Sequence, residues 1–243
     1  MPSHDRSHEL AKLAVAIQQA QSDETTANVA IEHAREMIPD VDWASLTIQR
    51  RRGTFTTLAA TADKALRADE LQYSLQQGPC IESAVDVEWQ RSGSIRHDPR
   101  WPVWGPRAAD LGIGSLLSIP LVTDEPIGAL NMYAADEGRF TDRDDVDFAV
   151  IYGTHVAVAL TSSREIGGLR TAIASRHTIG VAQGILMERF DLTLDASFAL
   201  LRRYSTTRNT RIADIAADLV STRQLPDDRN DSDDPDPGPA APR

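Results

Sequence analysis

The sequence has little of what marks a secreted or a membrane protein. A single Cys among 243 residues excludes an intramolecular disulfide and agrees with a reducing compartment. Residues 1–20 carry scattered charges and no apolar signal-peptide core. The longest uncharged run, residues 148–163, is shorter than the roughly 18 apolar residues of a membrane helix. We therefore expect a cytoplasmic protein with no membrane association.

Catalytic and metal-binding motifs are also missing. The sequence contains no G-x-S-x-G, no P-loop and no H-E-x-x-H. Gly112-x-Gly114 lacks the third glycine of a dinucleotide-binding fingerprint and precedes a strand rather than following one. His4 and His8 have helical spacing but lie near the terminus, where surface residues are expected rather than a metal site. These absences predict a protein that is not an enzyme and holds no metal.

Charge is distributed unevenly along the chain. The net charge is −11, which argues against general nucleic-acid binding. Residues 164–225 nevertheless hold nine Arg and six acidic residues, whereas residues 226–243 hold two Arg and six Asp. The first segment is therefore basic in an acidic protein, which indicates an acidic partner for that segment alone. The Asp- and Pro-rich residues 226–243 are predicted to be disordered.

Periodicity in the first 162 residues predicts an α+β domain. Two amphipathic helices cover residues 10–17 and 29–38. Strands are expected at 44–49, 54–60, 116–122 and 127–134, the first of them half-buried because Ser45 and Thr47 alternate with apolar residues. A long helix begins near Asp142. This order of helices, antiparallel hairpins and a closing helix is typical of a sensor module.

Three helical patterns follow in residues 164–225. Ile166, Leu169 and Ile173 share one helix face, and a stripe with small residues continues to Leu186. A second helix starts after Thr193, a suitable N-cap, and a third carries apolar residues from 212 to 220. Because short amphipathic helices must bury their apolar faces, we expect a three-helix bundle.

The same segment resembles the ANTAR domain, an RNA-binding module of bacterial transcription antiterminators. The resemblance rests on S-R-H-T-I-G-V-A-Q-G-I-L-M at 175–187, on F-A-L-L-R-R-Y-S at 198–205, and on N-T-R-I-A-D-I-A at 209–216. Three departures occur: Gln183 replaces a frequent Lys, Ser197 replaces a small Ala, and Arg211-Ile212 replaces Lys-Leu. Matches across three helices with the right gaps are more specific than one short motif.

Residues 8–162 resemble GAF domains, most of all those that precede ANTAR domains in actinobacteria. The matching stretches are L-Q-Q-G-P-C-I-E at 75–82, D-P-R-W-P at 98–102, G-S-L-L-S-I-P-L at 114–121 and I-G-A-L-N-M-Y at 127–133. The motif of cyclic-nucleotide-binding GAF domains is absent. The resemblance implies a sensor or dimerisation module with an unknown small-molecule ligand.

Together the two resemblances imply a GAF-like sensor domain at 8–162, a long connecting helix, and a three-helix ANTAR module at 164–225. The implied function is transcription antitermination through RNA hairpins in leader transcripts, with the protein acting as a homodimer. A DNA-binding regulator and a signalling or dimerisation module remain alternatives. The candidate RNA-binding residues are Arg176, Gln183, Arg202, Arg203, Ser205, Arg208, Asn209 and Arg211. Ser205 and Asn209 could instead cap the third helix.

Four residues are candidates for the sensor pocket: Cys80, Arg96, Trp101 and Trp104. Cys80 follows a Gly-Pro turn that could present its thiol, although a lone Cys is commonly an inert buried residue. The two Trp residues could equally cover the core.

Gly167-Gly168 interrupts the long helical pattern, and each glycine disfavours a helix interior by roughly 1 kcal/mol. We expect a break or hinge there.

Overall fold

The computed structural model describes residues 3–18, 20, 22–50 and 53–225, and it divides into compact units at 1–167 and 168–243. The predicted disordered tail, 226–243, lies outside the described residues. The first unit contains α1 (Ser3–Gln18), α2 (Asp23–Met37), β1 (Trp43–Gln49), β2 (Phe55–Ala60), α3 (Asp63–Leu75), α4 (Pro79–Asp86), β3 (Gln90–Ser92), a 3₁₀ turn (Ile95–His97), α5 (Trp104–Asp110), β4 (Ser115–Val122) and β5 (Pro126–Ala134). Three helices follow along the chain: α6 (Arg143–Phe190), whose residues up to Gly167 belong to the first unit, α7 (Leu194–Arg208) and α8 (Ile212–Thr222).

The five strands form one antiparallel sheet in the order β2-β1-β5-β4-β3. The four predicted strands are confirmed to within a residue or two at each end. The short edge strand β3 and the helices α4 and α5 were not predicted, because their sequences are too short to show a period.

One face of the sheet packs on α1, α2 and the first part of α6. Leu46, Leu117, Leu130 and Met132 supply the sheet side of this core, and Tyr152 on α6 donates a 2.6 Å hydrogen bond to the Ala30 carbonyl on α2. Alternation along each strand points every second side chain into this layer, as the period of two requires. The predicted apolar face of the sheet is therefore confirmed.

The other face of the sheet was predicted wrongly. Ser45 and Thr47 are completely buried rather than facing solvent, because α3 and α4 cover this face. Apolar residues on the same side, among them Trp101, Trp104 and Leu116, form a second core. The sheet thus lies between two helical layers, and one of its faces buries a set of polar side chains.

The expected break at Gly167-Gly168 is also wrong, because α6 continues through both glycines as one helix of 48 residues. Among the described helices, α6 alone is long and apolar enough to cross a membrane. Several of its apolar residues lie in the core of the first unit, namely Phe148, Ala149, Tyr152, Val156, Ala157 and Leu160.

In the second unit, the end of α6 packs with α7 and α8. The core is built from Ala182, Leu186, Leu201, Tyr204, Ile215, Ala216, Leu219 and Leu225. Thr193 is confirmed as the N-cap of α7, since its side chain accepts a 3.2 Å hydrogen bond from the Ala196 backbone N–H. Ile166, Leu169 and Ile173 are not part of this bundle and remain exposed.

Candidate functional site

The buried polar face of the first unit is centred on Asp69 of α3. One carboxylate oxygen accepts hydrogen bonds from the Tyr133 hydroxyl (2.6 Å) and the Asn131 amide (3.0 Å), and the other accepts from the Thr57 hydroxyl (2.9 Å). Tyr73 joins Thr57 to Thr47 through contacts of 2.7 Å. A carboxylate with several donors can remain inside a domain, whereas an unpaired one is strongly disfavoured.

Burial nevertheless dominates the electrostatics of this cluster. Removal from water raises the pKa of Asp69 from 3.8 to about 6, and hydrogen bonds led by that from Tyr133 lower it only in part. The pKa of the Tyr133 hydroxyl is raised by burial and by the neighbouring Asp69 charge. The pKa of Asp69 is therefore shifted toward neutral pH.

Gln72 connects this cluster to the beginning of α4. Its amide nitrogen donates to the Tyr133 hydroxyl (3.4 Å), and its amide oxygen accepts from the Cys80 backbone N–H (2.7 Å). Gly78 lies against the same side chain with a φ of +144°, and a Cβ there would come within 2.4 Å of Gln72 Oε1. Only glycine combines this backbone conformation with this close approach.

Cys80 lies at the start of α4 and is completely buried. Burial, followed by the Asp69 charge, raises the pKa of its thiol to about 12. A reactive cysteine requires accessibility and a lowered pKa. These surroundings favour the inert buried interpretation over a redox-sensing thiol.

The other three sensor-pocket candidates do not form a common site. Trp101 and Trp104 are fully buried with their rings edge to face at 5.9 Å, and their indole N–H groups donate to Glu82 Oε1 (2.8 Å) and the Ala68 carbonyl (3.0 Å). Arg96 is exposed and pairs with Asp110 at 2.7 Å. The Trp residues thus occupy the core with their polar atoms satisfied.

The sequence pattern did not predict the polar cluster, because polar residues such as Asp69, Thr57 and Asn131 are normally found at the surface. Asn131 and Tyr133 were a usable signal, since both lie in β5 between residues that are apolar and buried. A strand that is buried on both faces shows a nearly continuous apolar run in its sequence. A polar residue within such a run therefore indicates a buried polar group.

In the second unit, four of the eight RNA-binding candidates make hydrogen bonds or ion pairs within the chain. Gln183 donates to the Leu194 carbonyl at the start of α7 (3.1 Å), and Ser205 donates to the Thr210 carbonyl (2.6 Å). Asn209 ends α7 with a φ of +49°, so it caps the second helix of the bundle and not the third. Arg211 forms a bidentate pair with Asp214 at 2.8 and 3.0 Å.

The other candidates are exposed cations. Arg176 and Arg202 make no ion pair with the part of the chain that the structure describes, and Arg203 lies over the Tyr204 ring at 5.7 Å without a carboxylate partner there. Arg208 is exposed in the last turn of α7. Exposed guanidinium groups of this kind can contact phosphates and stack on unpaired bases.

Two family models match the chain in this same arrangement. The GAF domain matches residues 20–161, and the ANTAR domain matches residues 168–220. The chain is a GAF and ANTAR domain protein. By these ranges the polar cluster lies inside the GAF domain, and the exposed Arg residues belong to the ANTAR domain. Both domain types are regulatory. Comparison with curated proteins finds no matching sequence.

Solved structures resemble the GAF domain in fold. The GAF domain of a phosphoenolpyruvate-protein phosphotransferase from Coxiella burnetii is 16% identical, with 69% of this chain and 99% of that chain covered and a TM-score of 0.55. The bacteriophytochrome RpBphP3 from R. palustris is 11% identical, with 83% and 47% covered and a TM-score of 0.60. The free methionine-R-sulfoxide reductase from Neisseria meningitidis is 13% identical, with 66% and 91% covered and a TM-score of 0.50. At these identities the likeness concerns the fold alone.

Proposed function

We propose that this protein is an RNA-binding transcription antitermination regulator, in which the GAF domain controls an ANTAR domain that binds RNA hairpins in leader transcripts. The observation that carries the proposal is the set of exposed guanidinium groups at Arg176, Arg202 and Arg203. They lie in residues 164–225, which are net basic in an acidic chain, and they have no carboxylate partner among the described residues. Positive groups that are not neutralised internally are available to phosphates.

The choice of Arg over Lys favours structured RNA. A guanidinium group binds phosphate in a bidentate manner and stacks on bases that a hairpin loop leaves unpaired. Phosphate contacts would supply affinity, and contacts to loop bases would supply specificity. Gln183, which holds the start of α7, adds no charge, so we expect moderate affinity with a clear dependence on salt.

The proposal assigns residues 8–162 to the sensor and residues 164–225 to RNA binding, and it includes a cytoplasmic homodimer without catalytic activity. The proposal assigns a sensing role to the GAF domain and names no ligand for it. Mass spectrometry of the native protein would detect a co-purified ligand.

The direct test measures binding of the full chain to hairpins from leader transcripts at two salt concentrations. We expect tighter binding to a cognate hairpin than to an unrelated one, with affinity falling as salt rises. The double variant Arg202→Glu/Arg203→Glu should lose at least tenfold in affinity, which corresponds to roughly 1.4 kcal/mol.

Arg107→Glu is the matched control, because Arg107 is an exposed Arg of the GAF domain. It should bind RNA as the wild type does. Equal affinity for cognate and unrelated hairpins would contradict the proposal. Tighter binding of duplex DNA than of any hairpin would favour the DNA-binding alternative, and unchanged in-cell regulation by the double variant would favour a dimerisation module.

A further inference from the structure

The ANTAR unit carries an excess of positive charge that its own helices do not neutralise. Residues 168–225 hold eight Arg and no Lys, against five acidic residues, which gives a net charge of +3. Arg176, Arg202 and Arg203 are exposed and make no ion pair within the described chain. Two of these guanidinium groups are neighbours on α7, where their attraction for an anion adds up. This surface is therefore suited to a segment with several negative charges.

The chain itself supplies such a segment directly after the unit. The acidic segment, residues 226–243, holds six Asp and two Arg, which gives a net charge of −4. All six Asp lie between positions 227 and 236. In an extended proline-rich chain of about 3.1 Å per residue, this spacing places one carboxylate in roughly every 5 Å. Each strand of duplex DNA carries one charge per about 3.4 Å, so the acidic segment approaches the charge density of a nucleic-acid strand.

The structure fixes the point from which the acidic segment starts. Leu225 is only 8% exposed and packs into the core of the ANTAR unit. Arg189 Nη1 donates a 3.0 Å hydrogen bond to the Arg223 carbonyl, which holds the end of α8 against the end of α6. The acidic segment therefore starts on the helical bundle itself, beside the C-terminal end of α6.

The basic surface lies within reach of this starting point. Arg176 precedes Arg189 by 13 residues in α6, a distance of about 20 Å along the helix. The 15 residues of α7, which carry Arg202 and Arg203, form a helix of about 22 Å in the same bundle. Eighteen extended residues of proline-rich chain span about 55 Å, so the acidic segment is long enough to reach all three Arg residues.

Covalent attachment makes even a weak contact effective. A segment on a short tether is present at its docking surface at an effective concentration on the order of 1 mM. A contact whose own dissociation constant is about 0.2 mM is then sufficient to weaken the binding of a competing ligand about sixfold. Contacts between exposed charges are also screened by salt, so the competition depends on ionic strength.

We propose that the acidic segment docks on Arg202 and Arg203 of α7 and on Arg176 of α6 in the same chain, where it competes with the phosphates of RNA. The inference rests on the proposed function and deepens it, because it assigns a regulation to the same basic surface. RNAs that offer phosphates alone bind too weakly to displace the segment, whereas a hairpin that adds contacts to its loop bases displaces it.

Neutralising the acidic segment tests the competition in the full-length protein. The acidic-segment variant replaces each of its six Asp by Asn, at Asp227, Asp228, Asp231, Asp233, Asp234 and Asp236. At low salt it should bind the cognate hairpin about three- to tenfold more tightly than the wild type. The difference should disappear as salt rises, because screening releases the segment from the wild-type surface. Equal affinity of the two proteins at low salt would overturn the inference.

A control variant carries the same change of net charge on the GAF domain. It replaces six exposed acidic residues, which make no ion pair in the described chain, by the corresponding amides: Glu70, Asp86, Glu88, Asp124, Glu125 and Asp147. Its affinity for the hairpin should match that of the wild type. An equal gain in both variants would show a general repulsion between an acidic protein and RNA, and would overturn the inference.

Cross-linking in the absence of RNA tests the contact itself. Arg203→Lys keeps the positive charge and introduces an amine that a carbodiimide couples to a carboxylate in direct contact. Mass spectrometry of the full-length variant should find position 203 linked to an Asp of residues 227–236, and high salt should suppress the link. Arg107→Lys, on the GAF domain, is the matched control and should give far less of it. Equal yields from the two positions, or no link from either, would overturn the inference.

The two measurements separate this inference from RNA binding. A wild-type protein that binds its hairpin as tightly as the acidic-segment variant does would overturn the inference and leave the proposed function in place. A protein that binds no hairpin, yet links position 203 to the acidic segment, would support the docked contact and overturn the proposed function.

Discussion

The Tyr133 hydroxyl donates a 2.6 Å hydrogen bond to Asp69, and both side chains are completely withdrawn from solvent. The bond joins β5 to α3 across the polar face of the sheet. Hydroxyl and amide donors partly compensate the cost of burying the carboxylate. The groups that shift its pKa include no cation.

The first prediction concerns pH and Asp69. Its pKa is raised from 3.8 to about 6, so the folded GAF domain binds the proton more tightly than the unfolded chain does. The resulting stabilisation is fully present below pH 3.8 and is lost as pH rises through 6, for a total of about 3 kcal/mol. Between pH 4 and 7.5, ionisation of Asp69 should therefore lower the free energy of unfolding of the wild-type protein. The Asp69→Asn variant should lack this contribution.

Urea unfolding followed by Trp fluorescence measures this difference, since Trp101 and Trp104 lie in the neighbouring core. The comparison is between the pH slopes of the two proteins, which cancels the other titrating groups. An equal slope for the wild type and Asp69→Asn would contradict the prediction.

The second prediction concerns the hydroxyl of Tyr133. Tyr133→Phe leaves the buried Asp69 with one donor fewer and should lower the free energy of unfolding by about 2 kcal/mol at neutral pH. Tyr152→Phe is the matched control because it removes a 2.6 Å bond to a neutral backbone carbonyl. Its cost should be smaller, about 1 kcal/mol. A larger loss in the control, measured by urea unfolding, would argue against an ionised Asp69.

The third prediction is that Cys80 is chemically silent in the folded protein. Its thiol is buried and has a pKa of about 12, so little thiolate exists at pH 8. A thiol-reactive chromogenic disulfide should label it only as fast as the domain unfolds, and at once in denaturant. Rapid stoichiometric labelling of the native protein would restore the redox-sensing interpretation.

The fourth prediction concerns the two glycines of α6. Gly167→Ala/Gly168→Ala introduces methyl groups into open space and raises helix propensity by roughly 1 kcal/mol per residue. Amide hydrogen exchange across residues 163–175 should therefore slow in the variant. Unchanged exchange there would contradict the prediction, whereas slower exchange together with a loss of RNA regulation would show that the glycines act as a hinge.

Much of the fold followed from the sequence because local periodicity carries it. The strand at 44–49 alternates in sequence, the helix N-cap at Thr193 is a local motif, and the ANTAR match spans consecutive helices. The same local rules explain the errors. Ser45 and Thr47 have the pattern of a solvent-facing strand, and only the packing of α3 and α4 shows that they are buried.

The candidate RNA-binding residues divide in the same way. The sequence by itself determined the two domains, their order and the basic character of residues 164–225, since composition and spacing are properties of the chain. Tertiary structure decided that Gln183 and Ser205 hold the helices together while Arg176 and Arg202 remain exposed. It also decided that Asp69 lies in a polar cluster, because residues distant in sequence meet only when the sheet and its helices assemble.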